Sequence, residues 1–192
     1  MRTLIYVPRM YRKDEFEKLT SEIPEDFDVR SEEFWNYVES KLKPFVGHIH
    51  KVYYESLYKG GEEGMKILNS LNNRDYSIIK ELVEKGAKLQ ETENRLLVLE
   101  TQAWLEQARS KSDIIIKEMY DKCIGDRSKH ISNVIDQTLK DNEIGIIFIE
   151  SSYKLNLPED IRVIKMCPFE PSDYLNIWIQ KLKLRKANGS SP

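Results

Sequence analysis

The chain has little that would tie it to a membrane, a secretory route or a nucleic acid. Its longest apolar runs, such as Ile144–Ile149, fall far short of the roughly 20 residues that a membrane-spanning helix needs. It opens Met1-Arg2-Thr3-Leu4 and passes straight into a strand-like run, without the anatomy of a signal peptide. Cysteine is scarce. Cys123 and Cys167 both sit among apolar neighbours, which reads as two buried thiols in a reducing compartment rather than a disulfide framework. Charge of one sign is missing too: 30 basic residues stand against 32 acidic ones, net −2, so there is no electrostatic case for nucleic acid. Internal repeats and low-complexity stretches are absent. The expectation is a cytoplasmic protein without a membrane or nucleic-acid partner.

Signatures of catalysis are equally thin. The segment Gly60-Gly61-Glu62-Glu63-Gly64 lacks the Lys-Ser/Thr that would make it a phosphate-binding loop, and reads as a turn into a helix. Ser151 and Ser152 are not in a Gly-x-Ser-x-Gly elbow. His48 and His50 lie two apart, but no third ligand with metal-site spacing joins them. His130 and Cys123 sit beside apolar stripes with nothing to single them out. The basic run 181–186 reads as a solvated helix end. No metal and no cofactor is expected.

What is present is a globular composition, 40% hydrophobic and 32% charged, arranged as alternating strand and helix signals. Five β-like runs stand at residues 3–7, 50–55, 87–91, 144–149 and 161–166. The continuous apolar character of the first and fourth suits strands covered on both faces and lying side by side. Helical stripes fall between them. Phe34, Val38 and Leu42 follow a cap at Ser31. Tyr76, Ile79, Leu82 and Val83 end at Gly86. Leu97, Trp104 and Ala108 share a face. A cap at Ser112 opens a stripe of Ile115, Ile116, Met119 and Tyr120; after a break at Gly125 come Ile131, Val134, Ile135, Thr138 and Leu139. Pro171-Ser172-Asp173 starts a last helix with Leu175, Trp178 and Leu182. Strands joined by long helical stretches imply crossovers, hence an α/β fold with a mostly parallel sheet of about five strands and helices on both faces. The reading is one domain over 1–184, a flexible tail over 185–192, and a helical excursion around 94–140.

In such a sheet ligands bind beyond the carboxyl ends of the strands. Those ends carry residues 8–12, Glu55 and Ser56, Glu91 and Glu93, and residues 150–153. Three of the four segments hold a carboxylate, a type that binds metals or serves as acid and base.

Three of these strand ends and one helical segment carry motifs that belong together. Leu4-Ile5-Tyr6-Val7-Pro8-Arg9-Met10-Tyr11 is a strand closed by a short turn, and Val52-Tyr53-Tyr54-Glu55-Ser56-Leu57 a strand ending in Glu-x-Leu. Arg127-Ser128-Lys129-His130-Ile131-Ser132 opens a late helical element, and Phe148-Ile149-Glu150-Ser151-Ser152-Tyr153 ends the clearest strand. Together they resemble the TraB/PrgY and ChaN-like group of the broader erythromycin-esterase-like superfamily. The resemblance implies an α/β fold with a polar, often metal-dependent site. Tyr11 and Tyr153 would stand where the family has histidines, and Ser128 departs from its pattern. Phenols, with a pKa near 10, are poor bases and ligands at neutral pH, so the resemblance implies a member that has lost the metal chemistry. Glu55 and Arg127 would survive as an ion pair or as half of a binding site.

The expected function is therefore a non-catalytic ligand-binding or regulatory protein with a pocket lined by Tyr11, Glu55, Glu93, Arg127, Glu150 and Tyr153. The rival is a hydrolase using Glu55 and Glu150, with or without a metal. A scaffold built on 94–140 is a third reading. The partner is left open between a small molecule and a protein, as is a homo-oligomer.

Overall fold

The computed structural model describes residues 1–71, 73–110 and 113–187, without the side chains of 109 and 110. Its centre is a five-stranded, all-parallel sheet in the order β3-β2-β4-β1-β5. β1 is Arg2–Pro8, β2 Lys51–Tyr54, β3 Lys88–Leu89, β4 Ile144–Ile149 and β5 Ile161–Lys165. β1 and β4 lie side by side, Thr3 opposite Ile144 through Pro8 opposite Ile149, as their unbroken apolar character requires.

Side chains alternate between the two faces, as the two-residue repeat of a strand dictates. Ile5, Val7, Val52, Tyr54, Ile146 and Phe148 point to one core. Leu4, Tyr53, Ile147 and Ile149 point to the other. The first face is covered by α1 (Lys13–Thr20), α2 (Phe27–Leu42), α3 (Gly61–Ser70), α4 (Arg74–Glu84) and α7 (Pro171–Ala187). A single 3-10 turn, Lys43–Phe45, follows α2 where Pro44 ends the α-helix. The second face is covered by α6 (Ile114–Thr138), through Ile131 and Ile135, and by the β4–β5 connection. α5 (Arg95–Ser110) packs antiparallel on α6 and adds Val98 and Thr101 to the interior.

Several expectations shift. α2 begins at Phe27, not at Ser31, because Phe27 is buried against Phe16 at 5.1 Å and that anchor outweighs a capping preference. α1 was not legible as a helix. Glu15 secures it by accepting the Arg12 backbone N–H at 3.0 Å. The second and third strands shorten to four and two residues. No break occurs at Gly125: α6 is one 25-residue helix, since a single glycine costs only about 1 kcal/mol against the packing on either side of it. Ser112, the expected cap, lies outside the described residues; Asp113 caps α6 instead, accepting the Ile115 N–H at 2.8 Å. Region 94–140 is an excursion only in α5, because the second half of α6 is the cover of the second face. α4 does end as expected: Gly86, at φ +103°, donates to Val83, and Ala87 to Leu82. Gly60 and Gly64 serve close packing, a Cβ on Gly60 lying 2.8 Å from the Leu89 carbonyl oxygen, whereas Gly61 has open space and a left-handed φ of 55°. α7 runs to Ala187, past the expected start of the tail, and residues 188–192 lie outside the described residues. Among the described residues no helix is long and apolar enough to cross a membrane.

The chain leaving β1 enters α1 on the first face, while the chain leaving neighbouring β4 puts Tyr153 on the second. Divergence of adjacent connections opens a crevice at the carboxyl ends of these strands.

Candidate functional site

The crevice is built by ladder hydrogen bonds that continue past the strands. The Arg9 N–H donates to the Ile149 carbonyl at 2.8 Å, and the Glu55 N–H to the Phe148 carbonyl at 3.0 Å. The first residues beyond β1 and β2 are thereby fixed on either side of Glu150. Thr92 and Glu93 both donate from the backbone to the Leu57 carbonyl at 3.0 Å, tying the loop after β3 to the loop after β2. Arg127 comes from α6: the helical face that lays Ile131 on the sheet carries Arg127, one turn earlier, over the strand ends.

Arg127 is the hub. Its Nε donates to both Glu93 carboxylate oxygens at 3.1 Å, and its Nη2 to Glu93 Oε1 at 2.5 Å and to Ser56 Oγ at 3.0 Å. Its guanidinium lies over the Tyr153 ring, 5.1 Å from the centroid. The second arginine, Arg9, donates through Nη1 to Glu15 Oε2 at 3.0 Å. Glu55 stands between the two: Oε1 is 4.0 Å from Arg127 Nη2, and Oε2 is 3.6 Å from Arg9 Nε. Glu55 Oε2 also accepts the Glu150 backbone N–H at 2.9 Å. Ser56 adopts a left-handed φ of 64°, a costly conformation for a residue with a side chain. Its N–H is thereby turned to Glu93 Oε1, at 3.2 Å.

The electrostatics divide these groups. Burial works against the charge of Arg127, but the Glu93 hydrogen bond and nearby negative charge keep its pKa above the ordinary value. Burial, followed by the neighbouring Glu55, pushes the Glu150 carboxyl above the usual carboxylate range, while Arg9 and the Tyr11 hydroxyl pull the other way. The Tyr11 hydroxyl donates to Glu150 Oε1 at 3.3 Å. Burial raises the phenols of Tyr11 and Tyr153 far above their ordinary range, with Glu150 the next cause for Tyr11 and Glu55 for Tyr153. Both are neutral hydroxyls at any physiological pH.

These groups enclose a cavity of about 280 Å³, completed by Lys18, Leu19, Thr101, Gln102, Leu105, Tyr120 and Ile124. All six residues expected from the strand ends meet here, five on the cavity wall and Glu93 behind Arg127. Glu55 and Arg127 do share the pocket, but the direct partner of Arg127 is Glu93. Glu91 is exposed and takes no part. Sequence reasoning left out Arg9 and Glu15, which meet only because α1 folds back on the end of β1. It also missed Tyr120, two turns from Arg127 on the same face of α6, because a break at Gly125 would have separated them.

The other candidates stand apart. His50, exposed at the opposite end of the sheet, accepts the Ile144 N–H on Nδ1 at 3.1 Å. Cys123 and Cys167 are both free thiols. A second cavity, of about 650 Å³, opens on the first face, shares Tyr11, and reaches Asn73 and the buried Asp75. No group of three or more His, Cys, Asp or Glu side chains among the described residues is arranged to hold a metal ion.

No family model, curated protein or solved structure matches this chain.

Proposed function

We propose that the protein binds a small polar molecule in the cavity at the carboxyl ends of β1, β2 and β4 without transforming it. The observation that carries this reading is the gathering of Arg9, Glu55, Arg127 and Glu150 around an open cavity at the switch point of the sheet. Burying such charges opposes folding, so a cluster of this kind is better accounted for by a ligand than by stability. The resemblance to the TraB/PrgY and ChaN-like group belongs to the same proposal. Tyr11 and Tyr153, standing for histidines, meet Glu55 and Arg127 at one cavity, and neutral phenols suit binding better than metal chemistry.

A second reading, a hydrolase, has one observation in its favour. Glu150, raised by burial and by Glu55, has the character of a general acid beside a second carboxylate. One experiment separates the two. A library of small polar molecules is screened by ligand-observed NMR against the protein and against Leu105→Trp, which fills the cavity from its half-buried wall. Molecules that bind the first and not the second, and are recovered unchanged, are the expected result. Recovery as cleaved products would turn the assignment to the hydrolase, and binding indifferent to Leu105→Trp would remove the site.

A further inference from the structure

Around this cavity four glutamates (Glu15, Glu55, Glu93 and Glu150) face Arg9 and Arg127, with Arg12 behind Glu15 at 3.1 Å, and each of these arginines already faces a glutamate other than Glu150. Arg127 is chelated by Glu93, and Arg9 is held by Glu15 with its Nε turned to Glu55. Arg9 Nε is buried without a hydrogen-bond partner, and Glu55 Oε2 is the carboxylate oxygen facing it, at 3.6 Å. Glu150 is different. Among the described residues no lysine or arginine nitrogen comes within ion-pair distance of its carboxylate, and the contact it does have, the Tyr11 hydroxyl, is long at 3.3 Å. Lys18, at the rim, is turned outward to Asp14 at 3.7 Å. Burial, and after it the neighbouring Glu55, pushes the Glu150 carboxyl upward, and Arg9 and the Tyr11 hydroxyl only partly offset them. Beyond Glu150 the wall is Ile124, Leu105 and the half-buried ring of Tyr120.

We infer, resting on the binding reading above, that the ligand is an organic amine whose cationic nitrogen pairs with Glu150 and whose apolar body lies against Ile124, Leu105 and Tyr120. A carboxylate or phosphate would have to approach Glu150 while Arg9 and Arg127 remain occupied by glutamates. A hard metal ion would gain two carboxylates but sit beside two guanidinium groups and an apolar wall. An ammonium brings positive charge to Glu150, donates a hydrogen bond beside that of Tyr11, and adds apolar burial. A cavity of about 280 Å³ admits one ring with a short arm.

The test uses the full chain and three probes that share a ring and differ in their heads: benzylamine, benzyl alcohol and benzoate, titrated by calorimetry at neutral pH. Benzylamine should bind at least about tenfold tighter than benzyl alcohol, the effect expected of one charge-assisted hydrogen bond, and benzoate weakest. Glu150→Gln should bring the amine's affinity down to within about twofold of the alcohol's, while Leu105→Trp should abolish binding of both. Should Glu150→Gln fail to fold, the ranking of the three probes on the unaltered protein decides the matter. Benzoate or the alcohol binding as well as the amine, with loss in Leu105→Trp, overturns the amine and leaves the pocket standing. So does manganese competing with benzylamine. Probe binding insensitive to Leu105→Trp, or no binding of any probe, removes the pocket reading and the amine with it.

Discussion

Arg127 and Glu93 are 4% and 1% exposed, so neither charge can turn to water when its partner is removed. Replacing one member of such a pair costs far more than replacing both. Arg127→Met should destabilise the protein by about 3–5 kcal/mol in urea denaturation. Adding Glu93→Leu should recover much of that loss, less the orphaned Ser56 N–H. A double variant no better than the single one would mean that Arg127 matters through its packing on Tyr153. Asp75 gives a second test. It is 1% exposed, accepts the Tyr54 hydroxyl at 2.9 Å, and burial raises its pKa to about 6. The folded value lies above the unfolded one of about 3.9, so between these pH values the native state holds more protons and stability falls as pH rises. Asp75→Asn keeps an acceptor for Tyr54 and removes that titration. On going from pH 4 to pH 7 the stability difference between variant and parent should move in the variant's favour by about 2 kcal/mol. A difference that stays flat across that window would show that Asp75 is not the group responsible.

Two glycines separate what an element tolerates from what it needs. Gly125 lies within α6, on its exposed side, and a Cβ there would meet nothing within 4 Å. Gly125→Ala should therefore raise the urea midpoint, by about 0.5–1 kcal/mol of stability. Gly86 ends α4 at φ +103°, where a side chain is strained even in open space. Gly86→Ala should lower stability by about 1 kcal/mol. Opposite signs from one substitution are the outcome to look for, and equal signs would contradict the two backbone assignments. Capping and periodicity made the end of α4 readable, whereas the continuity of α6 was not. Local propensity at one glycine argued for a stop, and packing over the whole of the helix overrode it.

Over the whole molecule stability is spread unevenly. β1 and β4 are each paired on both sides and covered on both faces. α5 leans on α6 and leaves Leu96 and Leu99 in solvent. Native-state hydrogen exchange should find the β1 and β4 amides opening only with global unfolding and those of α5 opening earlier. Because Thr101, Gln102 and Leu105 of α5 line the cavity, an occupied cavity should slow exchange in α5 specifically. Exchange of α5 at the rate of β1 in the unliganded protein would mean one cooperative unit.

The sequence by itself determined the class of fold and the ends of the strands at which polar groups collect. Continuous apolar runs at 3–7 and 144–149 need cover on two faces, and helical spacing between strands requires crossovers, so an α/β parallel sheet follows from periodicity alone. Tyr11, Glu55, Glu93, Glu150 and Tyr153 were readable because each stands just after a strand, whereas Arg127 was singled out only by the family resemblance of residues 127–132 and by no periodicity of its own. Only the tertiary structure decided that Arg127 belongs to Glu93, that Glu55 stands between two arginines, and that no lysine or arginine among the described residues pairs with Glu150. Periodicity fixes which face a residue occupies but carries nothing about strand order. Ion-pair choice turns on differences of about an ångström between loops that strand order brings together.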